Sequence, residues 1–265
     1  DWSSDVCSSD LMKRTAGIVS WAVALMLAVP GAVAAQDGIT LDAQETLRFD
    51  NAGANVAAQW DNVYIGPYQG TLLSDPTQPT ITLYCVDFAH NVGYGQVWDA
   101  NVTRLNSGDL STTRLGQNSD PYATNLLRYQ KAAYLSSLFD SAWQTYETDR
   151  RTAWSGIHAA IWSIMTNGFP STTLGVNNPT LATSLAAAWI ARADAAAAGG
   201  FVGMNFAEWA VLTDVSVMRD PASGTQEFLV RTGVVPEPQT YLLMASGLLL
   251  IAVFARRRLR EFGEA

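Results

Sequence analysis

The most restrictive feature of the sequence lies near its C-terminal end. An apolar run from Tyr241 to Ala255, broken only by Ser246 and Gly247, is followed at once by Arg256, Arg257, Arg258 and Arg260. A guanidinium resists transfer across a bilayer, so a basic cluster directly after an apolar helix holds that end in the cytoplasm. The pattern predicts a C-terminal transmembrane helix with a cytoplasmic arginine anchor. The residues before it then have to fold on the far side of the membrane.

The front of the chain agrees with export. Met12 is followed by the cationic pair Lys13 and Arg14, an apolar run from Gly17 to Val29, and the small residues Ala32, Val33, Ala34 and Ala35. Charged, apolar and small-residue regions in that order read as a secretory signal peptide over 12–35, with cleavage after Ala34 or Ala35. The apolar run is shorter than the ~20 residues a spanning helix needs. The eleven residues before Met12, DWSSDVCSSDL, read as a translated sequencing adapter fused in frame, an artefact outside the protein proper.

Between these ends lies an exported body, residues 36–235. The chain has 24 acidic and 16 basic residues. Three acids and two bases fall before the body and three acids and four bases after it, which leaves 18 against 10 and a net charge of -8. An acidic surface argues against a nucleic-acid partner, which needs a basic footprint. The chain is 48% hydrophobic and 10% aromatic, too apolar for a disordered one. Cys85 is the lone cysteine of the body, since Cys7 precedes the signal peptide, so no disulfide can form within it.

Along the body the pattern changes once. From Ile39 to about Leu115, short runs rich in Thr, Val and Tyr alternate with turn signals at Asn51–Gly53, Pro67–Gly70, Asp75–Pro79, Gly93–Gly95 and Asn106–Gly108, which predicts strands. Alternation puts Ile81, Leu83 and Cys85 on one face. Helical periodicity follows. A first helix starts with Asp120 as N-cap and Pro121 at its first position, runs to about Trp143, and carries Leu127, Tyr134, Leu135 and Leu138 on one side. A second, from about Asp149 to Asn167, carries Trp154, Ile157, Ile161 and Ile164 in a stripe with His158 at its edge. A third runs from Asn178 and Pro179 to Gly199 and Gly200 through Leu185, Trp189 and Ile190. Two strands close the body, Trp209–Met218 with Val211, Val215 and Val217 on one face, and Gln226–Val234. The fold class is α+β: an N-terminal β-rich half built as a small barrel or sandwich, three helices, a closing β-hairpin, and the C-terminal transmembrane helix.

The residues Val235, Pro236, Glu237 and Pro238, then the apolar helix, then the arginines, resemble the PEP-CTERM sorting signal of Gram-negative bacteria that make exopolysaccharide. The resemblance assigns residues 236–265 to a sorting signal. It implies an exosortase as processing protease, passage through the secretion machinery, an inner-membrane intermediate, and delivery of the body to the cell envelope or extracellular matrix of a biofilm. An ordinary tail anchor predicts the same insertion and differs in later processing.

The blocks NVYIGPYQGTL (62–72), YCVDFAHNVGYGQVW (84–98), KAAYLSSLF (131–139) and GIHAAIWSIM (156–165) resemble a group of PEP-CTERM surface proteins and, through them, the thioester domains of bacterial adhesins. In those domains a Cys after an aromatic residue is joined to the side-chain carbonyl of a helical Gln. Here Cys85 follows Tyr84, while Ile157, Ile161 and Trp162 fit the helix pattern with His158 at the Gln position. Imidazole has no acyl carbon for a thiolate to attack, so the resemblance implies a thioester-like site, Cys85 with His158, without its cross-link. Gln96, Gln130 and Gln144 offer carboxamides outside the helical motif.

Three chemistries compete at these residues. Cys85 with His158 matches an acyl-transfer dyad in residue type, but a dyad also needs an oriented imidazole and an oxyanion hole. Cys85, Asp87, His90 and His158 are metal-ligand types, but the CVDFAH spacing is not a recurrent zinc pattern. The third is a buried thiol packed against a hydrogen-bonded histidine. The expected function is therefore non-enzymatic, adhesive or structural, without cofactor or metal, possible partners being exopolysaccharide or a surface ligand. A Cys-His acyl-transfer enzyme and a thioester adhesin using another Gln are the alternatives. The body tryptophans Trp60, Trp98, Trp143, Trp154, Trp162, Trp189 and Trp209 are expected in the core.

Overall fold

The computed structural model of the chain describes residues 39–51, 59–60, 63–146, 150–166 and 179–233. Eight strands are present among them: β1 (Gln44–Asn51), β2 (Gln59–Trp60), β3 (Val63–Tyr64), β4 (Tyr68–Leu72), β5 (Thr80–Cys85), β6 (Val97–Arg104), β7 (Trp209–Asp214) and β8 (Phe228–Arg231). Six of them close into a barrel in the order β1-β4-β5-β8-β7-β6, with β6 returning to β1, and every pairing is antiparallel. β2 and β3 form a separate two-stranded ribbon. The β-rich half is thus a barrel, and the closing hairpin β7–β8 supplies the two strands that join β5 to β6. A barrel has no open edge, so its strands are protected from pairing with other chains.

Alternation along the strands fills the interior. Leu83 pairs with Val230 and Cys85 with Phe228, while Ala210 and Leu212 face the same two partners from β7. The Phe228 ring is the hub of an aromatic centre, with ring centroids 6.3 Å from Phe49, 6.2 Å from Tyr68 and 5.9 Å from Trp98. On the opposite face of β5, Tyr84 stacks on Phe139 from the helical layer. Barrel and helices therefore share one core.

The helices are α1 (Tyr122–Ser136), α2 (Phe139–Thr145), α3 (Arg150–Thr166) and α4 (Pro179–Ala198). The first expected helix is divided into α1 and α2. Ser137 N makes the last α bond, to Ala133 O, Leu138 N then turns to Leu135 O in a 3-10 bond, and the Ser137 and Ser141 hydroxyls donate to the carbonyls of Tyr134 and Leu138. Serine hydroxyls compete with the backbone in this way. Pro121 sits one place earlier than expected, at the cap position outside α1, and no side chain caps that end.

The buried face of α1 also differs. Leu127 is 38% exposed, and the inner stripe is Asn125, Tyr129, Ala132, Ala133 and Ser136 with Leu135 beside it. Polar anchors set this face. Asn125 Nδ2 donates to Leu115 O at 2.7 Å and to Asn118 Oδ1 at 2.8 Å, and Tyr129 reaches a buried carboxylate. In the hairpin, β7 stops at Asp214, so Val215 and Val217 leave the sheet in a 3-10 turn, Val215–Met218. The Asp214 carboxylate accepts from Ser216 N and Thr225 N, which bends the chain away from the ladder.

On α3, Trp154, Ile157 and Ile161 are buried as the stripe predicted, Ile164 is half-buried, and His158 is fully buried within the core, not at its edge. Replacing Ile161 with Ala should cost ~2–5 kcal/mol in urea unfolding with an unchanged denaturant slope, the effect of a cavity in a packed core. Among the described residues no helix is long and apolar enough to cross a membrane. The expected adapter-like segment, signal peptide and transmembrane helix lie outside the described residues, as do Asn167, Asn178 and the side chains of Trp60 and Leu185.

Candidate functional site around Cys85 and His158

β5 delivers Cys85 at its last position, on the inward face, and α3 delivers His158 from the helical layer. Both are fully buried. The Cys85 thiol donates to the Asp87 carbonyl at 3.2 Å, a turn back onto its own strand end. His158 Nδ1 accepts from Gly66 N–H at 2.9 Å, which places the imidazole proton on Nε2. Its ring is stacked on Trp162 at 4.8 Å and 8°, meets Tyr68 at 5.7 Å, and takes Phe139 edge-on at 4.9 Å.

Thiol and imidazole share neighbours. Tyr68 stacks on His158 and packs on Phe228, the cross-strand partner of Cys85. Trp162 stacks on His158 while its indole sits against the Cys85 thiol. No hydrogen bond joins the pair: the thiol proton goes to Asp87 and the imidazole lone pair to Gly66. His158 Nε2 and Trp162 Nε1 have no regular hydrogen-bond partner.

Burial pushes the Cys85 thiol up to about 12, with the nearby Asp87 charge adding to it and Trp162 opposing it. Burial alone pulls the His158 imidazole down to about 3. At ordinary pH the thiol is protonated and the imidazole neutral. An activated cysteine needs the reverse, a thiolate held by a cationic neighbour in a partly exposed site. For a thioester, Gln96 and Gln144 are exposed and Gln130 is half-buried on α1, whereas the sulfur is sealed in the core. Among the described residues no group of three or more His, Cys, Asp or Glu side chains could hold a metal ion.

Next to Cys85 lies a polar cluster that motif reading missed. Asp87 accepts from Ala89 N at 2.9 Å with Oδ1, while Oδ2 lies 2.7 Å from His90 Nδ1 and 2.8 Å from Arg114 Nε. Buried Glu227, one residue before β8, accepts from Arg114 N at 2.8 Å, Thr213 Oγ1 at 2.6 Å and Tyr129 Oη at 2.7 Å. Its members come from five separate stretches of chain, so no local spacing signals it. The available cues are single buried-type tyrosine and acidic residues inside otherwise apolar patterns.

Burial pushes the Glu227 carboxyl above its usual value, against the three hydrogen bonds, which favour the carboxylate. The folded state therefore holds this proton more tightly than the unfolded chain. The group's contribution is most favourable below the usual carboxylate range and is lost as pH rises through the raised value. Glu227→Ala should cost about 3–5 kcal/mol, since three buried donors lose their acceptor, while Glu227→Gln should cost only ~1 kcal/mol and flatten that pH slope. Urea unfolding of both variants across the acidic range checks this.

The sorting residues Val235, Pro236, Glu237 and Pro238 and the anchor Arg256, Arg257, Arg258 and Arg260 lie outside the described residues. In sequence, residues 234–258 match the PEP-CTERM protein-sorting motif. The match begins three residues after Arg231, the end of β8. It implies export, sorting to the cell envelope, and an exosortase as processing partner. Beyond this segment, no curated protein and no solved structure is similar enough to the chain to be matched.

Proposed function

We propose that the body is a non-enzymatic surface module, adhesive or structural, delivered to the envelope or exopolysaccharide matrix by its sorting signal, and that Cys85 and His158 are a thioester-like pair without its cross-link. The sorting match at residues 234–258 carries the delivery half of this reading. The state of the pair supports the other half: a neutral thiol and a neutral imidazole, both sealed from solvent, each bonded to a backbone group rather than to the other. An acyl-transfer enzyme needs the thiol open to an acyl donor, and an adhesin using another Gln needs a carboxamide at the sulfur.

Topology tests the delivery half. In cells the body should be digested by protease added outside the inner membrane, with the Arg256–Arg258 end protected, and replacing those three arginines with neutral residues should impair retention or sorting. A body protected from external protease would overturn the proposal.

A further inference from the structure

His90, at the rim of the polar cluster beside Cys85, has both of its ring nitrogens engaged. Nδ1 lies 2.7 Å from Asp87 Oδ2 and Nε2 lies 3.2 Å from the Ala222 carbonyl. A carboxylate and a carbonyl can only accept. A neutral imidazole has one N–H and can serve one of them, whereas the imidazolium serves both.

The segment bonded through Ala222 is the turn between the last two barrel strands, residues 219–226. It is fastened further by Arg114, whose guanidinium donates to the carbonyls of Pro221 at 2.7 Å, Ser223 at 2.9 Å and Thr225 at 2.6 Å, and by a longer bond of 3.4 Å from Gln226 Nε2 to Asp87 O. Arg114 Nε faces the same Asp87 oxygen that His90 holds. Other ionisable groups around the turn are Arg219 at its start, Glu227, which accepts from Arg114 N, Asp214, which accepts from Thr225 N, and Asp220, which accepts from Ala222 N. Tyr129 closes on Glu227, and the Cys85 thiol on the Asp87 carbonyl. Asp87 Oδ2 thus has the Arg114 guanidinium and the His90 ring on the same oxygen, while Glu227 takes the Arg114 backbone N–H.

We propose that His90 is a proton-dependent latch fastening the 219–226 turn to the chain segment after β5. Protonated, it bridges Asp87 and Ala222. Deprotonated, it keeps its one N–H on the carboxylate, the stronger acceptor, and its Nε2 lone pair then opposes the Ala222 carbonyl, so the turn is released on that side. The release occurs beside the last residues of β5, where Val86 N bonds Glu227 O and Cys85 pairs with Phe228.

The chain has only two histidines, so histidine-selective nitrogen-15 labelling of the full chain in detergent micelles gives two ring signals, assigned with His90→Gln. The latch predicts that the His90 ring carries a proton on both nitrogens over the pH range in which the turn is protected. Amide protection over residues 219–226, corrected for intrinsic exchange, should then fall about tenfold as that proton leaves, the effect of one lost bond from a charged donor. In His90→Gln the protection should not vary with pH. A His90 ring with a single N–H while the turn is protected, protection unchanged as the ring loses its proton, or the same pH dependence in His90→Gln would each overturn the latch.

Discussion

Acidification should destabilise this protein steeply, and His158 should account for the effect. Its imidazole is fully buried, and burial lowers it from 6.5 to about 3. The unfolded chain takes up a proton as pH falls below about 6.5 while the folded chain does not, so stability is fully present above that value and is lost on the way down to about 3. The slope is ~1.4 kcal/mol per pH unit and the accumulated loss on the order of 4–5 kcal/mol, comparable with the ~5–15 kcal/mol stability of a whole domain. His158→Gln keeps an acceptor for Gly66 N–H and has no titrating ring. Urea unfolding of both proteins between about pH 4 and 7 should show the gap between them changing at that slope. His90 and the carboxylates are common to both, so the difference isolates His158. Parallel stability curves would mean that His158 takes up its proton in the folded state.

The second large effect is expected at Gly66. Its φ is +98°, a conformation that costs other L-residues ~1–2 kcal/mol, and a Cβ there would lie 2.3 Å from the Trp154 ring. The ring cannot retreat cheaply, because Trp154 Nε1 donates to Phe139 O at 2.8 Å and the indole packs on Trp143 at 4.3 Å. Gly66→Ala should therefore cost ~2–5 kcal/mol, backbone strain plus overpacking. In a Trp154→Ala background the clash is gone, and the added cost should fall to the ~1–2 kcal/mol of strain. Equal costs in both backgrounds would show that the indole is not what Gly66 accommodates. The same residue donates the N–H that fixes the His158 tautomer, so one glycine serves both the packing of α3 and the state of the site.

The strand and helix pattern of the body was readable because it follows from burial. Ile81, Leu83 and Cys85 alternate and face inward together, and Trp154, Ile157 and Ile161 recur at helical spacing and are buried together. Where expectation and structure part, polar groups decide. Leu127 has the right period for a core face, but Asn125 and Tyr129 fix the rotation of α1 through hydrogen bonds to distant partners and turn Leu127 outward. Val215 and Val217 continue an apolar alternation, yet the Asp214 carboxylate ends the strand before them. Gly224, with φ +85° and no room for a Cβ beside Asp214, allows the return to β8.

The candidate site divides along the same line. Cys85 and His158 stand out as rare residue types within recognisable blocks, and their burial follows from the strand and helix that carry them. The Asp87, Arg114 and Glu227 cluster does not stand out, because its members are common types separated by 27 to 140 positions. Its cohesion exists only once β5, α1 and the closing hairpin have met.

On the proposed reading, this chain reaches the envelope processed at both ends and with Cys85 free. Intact mass spectrometry of the protein recovered from the cell surface, before and after methylamine, reads all three features at once. The expected mass begins at Ala35 or Gln36, lacks the arginine-rich end, shows no loss of ammonia and does not change with methylamine, while Cys85 reacts with a thiol reagent only after denaturation. A mass short by one ammonia and restored by coupling to methylamine would contradict it, and would make Cys85 a covalent attachment site paired with a Gln elsewhere in the chain.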